Sequence, residues 1–229
     1  MAGALSCFLM VDLEDSYKIR NFVKNFNMQS TTFSPVSFEP KRIARTYTLA
    51  EYLQKEAKSI DKHEFINGKI VKMPYSRGPH NLISANMITQ MNIAFESLDK
   101  SYFVFSSDQK VYIPSIDEGV YADALAVCDK PLYWDTKQLL LINPIIIVEV
   151  LSKSTAKYDQ TGKFSKYKHL ESFREYVLIR QDKCYAEVWY RESPGLWRET
   201  IITNMDGVLP LQSVGVSLAM RRVYRNVEV

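Results

Sequence analysis

Two acidic residues stand where strands should be apolar. In the run PIIIVEVL, Glu149 lies among Ile145, Ile146, Ile147, Val148, Val150 and Leu151. A period of two puts it on the face of Ile147 and Leu151. In GVYADALAV, Asp123 shares a face with Tyr121, Leu125 and Val127. A lone ionised carboxylate in such surroundings is costly or shifts its pKa, unless a cation or hydrogen-bond donors meet it. One such acid by itself reads as a strand-end residue, solvated or salt-bridged. Two on neighbouring strands read as a hard-cation site, since oxygen ligands suit Mg²⁺ or Mn²⁺.

Beyond Glu149 the segment LSKSTAKYDQTGKFSKYKHL carries Lys153, Lys157, Lys163, Lys166 and Lys168, with Tyr158 and Tyr167 interleaved and Asp159 as its only acid. It leaves the C-terminal end of the buried strand, so its cations lie near that strand's carboxylate. Two readings stay open: a phosphate-facing cluster in which one lysine orients a water, or a solvated helix face. His80, in PHNLI ahead of a helix, reads as a site residue, a helix cap or, as is commoner, a structural histidine.

The elements that would position these residues follow from local pattern. Thr48 and Glu51 have capping-box spacing at a helix start. In HEFINGKIVKMP, Asn67-Gly68 between apolar alternations signals a hairpin. The run PHNLISANMITQMNIAFESL has Leu82, Ile83, Met87, Met91, Ala94, Phe95 and Leu98 at helical spacing, giving one buried stripe. Then YFVFS, QKVYIP and GVYADALAV read as strands, and PIIIVEVL as a fully buried one. A helix is expected around TGKFSKYKHLES, then strands at REYVLIR, AEVWYRE and LWRETII and a last apolar piece at VSLAM. This order predicts an α/β fold, with one mixed central sheet flanked by helices.

The chain has 229 residues, 46% hydrophobic and 24% charged, with a net charge of +3. That is an ordinary globular composition, large enough to fold without disulfide staples, and its mild basic lean does not by itself argue for nucleic acid. Cys7, Cys128 and Cys184 are an odd number without a CxxC pair, which suits a reducing, cytoplasmic setting. No stretch reaches the roughly 18 apolar residues of a membrane span. The N-terminal apolar stretch lacks a preceding basic residue and meets acids at once, so a secretory signal is not expected. Residues 1–45 show no sustained period and read as an N-terminal extension, poorly ordered, within which Met28 offers an alternative start; the domain is expected over 46–229.

The stretches HEFINGKIVKMPYSRGPHNLI, YADALAVCDKP and NPIIIVEVLSKSTAKYDQTGKFSKYKHLESFREYVLI together resemble the bacterial Uma-type (Uma two) restriction-endonuclease family, within the PD-(D/E)xK nuclease superfamily. The resemblance runs from about Thr46 to the C-terminus. It implies a restriction-endonuclease-like sheet-and-helix core, with Asp123, Glu149 and Val150 as the metal-holding positions. It also implies a catalytic lysine on the following helix, at Lys163. The usual place for that lysine, two residues after the glutamate, is Leu151 here, and Ala122 replaces the proline before the aspartate. Glu64 matches a recurring family glutamate and reads either as a further catalytic carboxylate or as an exposed strand-end acid. Tyr167, four residues after Lys163, shares its helical face and is expected to pack behind the site.

The expectation is a Mg²⁺- or Mn²⁺-dependent endonuclease acting on DNA, as a homodimer, with no membrane association. The alternative is a non-catalytic nuclease-fold protein that binds nucleic acid or a protein partner; a structural or regulatory protein without nucleic-acid contact is a third reading.

Overall fold

The computed structural model describes residues 45–152 and 155–229. The expected extension over 1–45 therefore lies outside the described residues, apart from Arg45, and so do Lys153 and Cys7. The first helix, α1 (Leu49–Glu56), opens on the expected capping box: the Glu51 N–H donates to Thr48 Oγ1 at 3.2 Å and the Thr48 N–H to Glu51 Oε2 at 2.9 Å. The hairpin β1 (His63–Ile66) and β2 (Lys69–Lys72) turns through Asn67 and Gly68, whose φ values of 50° and 68° are the left-handed ones that such a tight turn demands.

Helix α2 (Gly78–Phe95) follows, then β3 (Tyr102–Ser106), β4 (Lys110–Ile113), β5 (Glu118–Tyr121) and β6 (Ala124–Cys128). A two-residue strand, β7 (Leu140–Leu141), precedes β8 (Ile146–Leu151), in which every residue is buried. The chain next makes a π-helical turn, Tyr158–Lys163, that runs directly into α3 (Phe164–Tyr167). Strands β9 (Glu175–Arg180), β10 (Ala186–Ser193) and β11 (Leu196–Ile202) form a meander. Finally β12 (Val208–Leu211) and β13 (Val216–Ala219) pair as a hairpin ahead of α4 (Met220–Val223).

The fold is α/β as expected, but among the described residues its strands are shared by three sheets. The orders are β2-β1-β5-β4-β7, β11-β10-β9-β8-β6-β3 and β12-β13. The first two are mixed, through the parallel pairs β4–β7 and β8–β9. GVYADALAV is not one strand. Its first half, β5, belongs to the five-stranded sheet and its second half, β6, to the six-stranded one, with Ala122 and Asp123 at the crossing. Alternation of side chains therefore does not carry through Asp123.

The six-stranded sheet has apolar residues packed on both faces. Against one face lies the stripe of α2, in which Ile83, Met87 and Met91 are fully buried and Phe95 nearly so, together with Leu209, Leu211, Leu218, Met220 and Val223 from the C-terminal elements. Leu82, expected in the stripe, is exposed. Against the other face, Leu125, Ile147, Leu151 and Leu178 meet Phe164, Tyr167 and Phe173, and beyond them Val111, Ile113 and Val120 of the five-stranded sheet. Glu149 lies on this second face, between Ile147 and Leu151. Among the described residues no helix is long and apolar enough to cross a membrane, and Cys128 and Cys184 are free thiols.

Candidate active site

A cleft of about 560 Å³ is lined by Glu64, Asp123, Glu149, Val150, Asp159 and Lys163, among others. Four different pieces of backbone deliver these groups. Glu64 comes from β1, Asp123 from the crossing between sheets, Glu149 and Val150 from β8, and Asp159 and Lys163 from the π-helical turn.

Lys163 is the centre of charge. Its Nζ donates to the Tyr121 carbonyl at 2.8 Å and to Glu149 Oε2 at 3.1 Å. Asp159 Oδ1 stands 3.5 Å away and Glu64 Oε1 3.6 Å. Burial alone would push the lysine's pKa down, but the carboxylates of Glu149, Glu64, Asp159 and Asp123 outweigh it and hold the value well above that of a free lysine. The ammonium is thus a permanent charge at neutral pH. Glu149 is pushed the other way: burial raises its pKa, Asp159 and Asp123 add to the rise, and Lys163 only partly opposes it. Asp159 is likewise raised, burial being the main cause. Tyr167 lies behind the site as expected, its hydroxyl donating to Glu149 Oε1 at 3.1 Å.

Asp123 is held by the main chain and by a histidine. The Val150 N–H donates to its Oδ2 at 2.6 Å, and His80 Nε2 lies 3.1 Å from the same oxygen. Both contacts fall on Oδ2, so Oδ1 is the oxygen they leave to other ligands. His80 therefore lines the cleft beside Asp123, the position in which it would act as a site residue. Helix α2 supplies it from the first turn, behind an N-cap, Arg77, that makes no side-chain capping bond.

Glu64 is buried, which removes the reading of an exposed strand-end acid. Its Oε1 accepts from the Tyr121 N–H at 3.3 Å and its Oε2 from the Tyr158 hydroxyl at 3.1 Å. Tyr158 reaches it because Gly162 leaves room: a Cβ there would sit 2.6 and 2.9 Å from two atoms of the Tyr158 ring. The π-helical turn widens the helix where Asp159 and Lys163 point inward, and such turns recur at functional sites.

The lysine-rich segment does not act as one phosphate-facing cluster among the described residues. Lys157 is exposed, Lys166 pairs with Glu118, and Lys168 lies over the Phe164 ring at 3.8 Å. Among the described lysines of that segment only Lys163 lines the cleft; the other cations there are Lys72 and Arg77, which sequence reasoning did not single out. It also missed Asp159, although the four-residue step to Lys163 was a usable signal. No local signal pointed to Gln181, which lines the cleft from the end of β9.

The donor chemistry suits a hard divalent cation. Carboxylate oxygens outnumber the lysine in the cleft, and the main-chain carbonyl of Val150 is adjacent to Glu149. Among the described residues no three His, Cys, Asp or Glu side chains converge into a ready cation cage. Mg²⁺ commonly takes only one or two carboxylates and completes its shell with water and substrate phosphate, so Asp123, Glu149 and Val150 are the candidate holders.

Comparison with known proteins gives relatives of similar size. A Synechocystis sp. (strain ATCC 27184 / PCC 6803 / Kazusa) protein, sll1609, is 32% identical over 160 residues, 70% of this chain and 88% of its own. A second from the same organism, slr1290, is 31% identical over 178 residues, 76% of this chain and 90% of its own. The fold matches the crystal structure titled "a putative nuclease belonging to DUF820" from Anabaena variabilis ATCC 29413. The TM-score is 0.62 at 18% identity, over 79% of this chain and 99% of that one. Residues 49–221 match the model of the Uma2 family, described as "Putative restriction endonuclease", and the chain belongs to that family.

Proposed function

We propose that this protein is a divalent-metal-dependent endonuclease that hydrolyses DNA phosphodiester bonds. The observation that carries the reading is the convergence of Asp123, Glu149 and Lys163, from three separate elements, on one cleft. Asp123, Glu149 and the Val150 carbonyl would hold Mg²⁺ or Mn²⁺. When bound, such an ion polarises a phosphate oxygen and lowers the pKa of a coordinated water.

The chain's own residues set the rest. Val150 N–H and His80 fix the orientation of Asp123. Lys163, clamped by Tyr121 O and Glu149, is a preorganised cation for charge that develops on the phosphate, and it needs no rearrangement during the reaction. Glu64 and Asp159 keep that cation in place from its other sides, and Tyr158 ties Glu64 to the π-helical turn. Arg77 supplies positive charge at the cleft for the nucleic-acid backbone, whereas Lys72 there is paired with Asp61. DNA as substrate and a homodimeric working form rest on the family; the free thiols of Cys128 and Cys184 support a reducing, cytoplasmic setting.

One observation favours the alternative, a nuclease-fold protein that binds nucleic acid or a protein partner without cutting. Both oxygens of Glu149 are already engaged, by Lys163 and Tyr167. A single experiment separates the two. Plasmid and single-stranded DNA are incubated with Mg²⁺ or Mn²⁺ and the wild type, Asp123→Ala or Glu149→Ala, with melting temperatures measured in parallel. The nuclease reading expects cleavage by the wild type alone, abolished by EDTA. Equal cleavage by all three would sink the site assignment. Absence of cleavage together with absence of any metal-dependent rise in melting temperature would select the binding protein.

A further inference from the structure

Among the described residues, two buried side-chain polar atoms lack a hydrogen-bond partner, Nδ1 of His80 and Oε1 of Gln181. Both residues line the cleft that holds the carboxylates. An unpartnered buried acceptor is costly, and native structures keep few of them. Oε1 of Gln181 can only accept. That oxygen is an unmet acceptor, buried where it stands, and a ligand that satisfies it once the amide turns into the cleft must bring an N–H or O–H donor. Phosphate oxygens bring none.

Gln181 is placed to meet such a ligand next to the proposed metal-holding residues. It is the first residue after β9, and its main-chain N–H bonds the Leu151 carbonyl at 3.4 Å, two residues beyond Glu149 on the parallel neighbour β8. Arg180 and Asp182 on either side pair with each other, Nε to Oδ1 at 2.9 Å and Nη2 to Oδ2 at 2.8 Å, so the group between them is a neutral amide. Its terminal torsion is broad and soft, and no bond on Oε1 has to break for the amide to turn toward a ligand.

We propose that Gln181 reads the major-groove edge of a paired base beside the scissile phosphate, and that the base it selects is adenine. This rests on the nucleic-acid reading of the same cleft. An amide offers an acceptor beside a donor, and adenine offers the complementary pair, its N6 amino group beside N7. Guanine presents two acceptors on that edge and gives Oε1 nothing to accept. His80 is already bound to Asp123, which makes Gln181 the residue that can be altered without disturbing that carboxylate.

The test is fluorescence anisotropy with labelled duplexes of G·C pairs that carry one central A·T pair or none, in Ca²⁺ to hold the duplex without turnover. The full-length wild type is compared with Gln181→Ala and Gln181→Glu. A bidentate amide–adenine pair predicts that the wild type binds the duplex with the A·T pair about 5- to 150-fold more tightly than the all-G·C duplex. In Gln181→Ala that ratio falls to near one. In Gln181→Glu the preference moves to the all-G·C duplex, where a carboxylate accepts from the cytosine N4 amino group. A wild type that binds both duplexes equally, or an alanine variant that keeps the adenine ratio, overturns the proposal. Should either variant fail to fold, 7-deazaadenine in place of adenine removes the N7 contact from the ligand side, and the wild-type ratio must then drop. Adenine-selective binding without metal-dependent cleavage supports Gln181 and sinks the nuclease reading. Cleavage without base preference does the reverse, and no binding to either duplex overturns both.

Discussion

Lys163 shows what a single residue contributes here. Its ammonium is buried against Glu149, Asp159 and Glu64, and removing one partner of a buried ion pair leaves uncompensated charge behind. Lys163→Met is therefore expected to abolish cleavage and to lower stability by about 3–5 kcal/mol near neutral pH. The pH dependence fixes the cause. Glu149 and Asp159 already titrate above ordinary carboxylates because of burial, and loss of the ammonium moves them higher. A carboxyl with a higher pKa in the folded chain keeps its proton there after the unfolded chain has released it, so stability falls as pH rises through that window. The deficit of Lys163→Met relative to wild type should be largest at about pH 8 and shrink toward about pH 5. Denaturant melts at both values measure it, and an equal deficit at both would mean that the lysine acts through packing alone.

At the scale of elements, the π-helical turn is the part that sequence patterns concealed. Replacing a helical glycine by alanine ordinarily gains about 1 kcal/mol. At Gly162 the new methyl meets the Tyr158 ring, and overpacking costs about 1–3 kcal/mol. Gly162→Ala should melt no higher than wild type and lose activity as Tyr158 lets go of Glu64; a more stable variant with full activity would show that the ring contact is dispensable. The features read correctly beforehand were those whose signal is local: the Thr48–Glu51 capping box, the Asn67-Gly68 turn, the stripe at Ile83, Met87 and Met91, and the uninterrupted apolar run around Glu149. The features missed depend on which element lies next to which. Alternation continues through Asp123 in sequence while the chain passes from one sheet to another, and period alone carries no mark of such a crossing. Lys166 and Lys168 look like cleft residues until Glu118 and the Phe164 ring claim them. His80 reaches Asp123 only because α2 begins at the cleft.

Across the whole molecule, the C-terminal elements lock the two pieces of chain that carry His80 and Gln181. Asn86 of α2 donates to the carbonyls of Val223 and Arg225 at 3.0 and 2.8 Å. Strand β9 is pinned at its start, where the Glu175 carboxylate accepts from the Gln212 N–H, the Ser213 N–H and the Ser213 hydroxyl. It is pinned again past its end by Tyr224. That hydroxyl lies 2.7, 2.9 and 3.0 Å from the carbonyl oxygens of Arg180, Lys183 and Tyr185, and accepts from the Tyr185 N–H at 3.1 Å. The turn that presents Gln181 is thus tied by one phenol from outside the cleft. Tyr224→Phe leaves the Tyr185 N–H without this acceptor, at a cost of about 1–3 kcal/mol, and each kcal/mol should lower the melting temperature by about 2–4 °C. Because the turn is loosened, the preference for the duplex with the A·T pair over the all-G·C duplex should narrow as well, although Tyr224 touches no ligand. Thermal melts and the same anisotropy series read both effects on one protein sample. A variant that loses the stability but keeps the full adenine ratio would place the hold on Gln181 in the β8–β9 pairing alone, and the C-terminal hairpin would then serve the core and not the site.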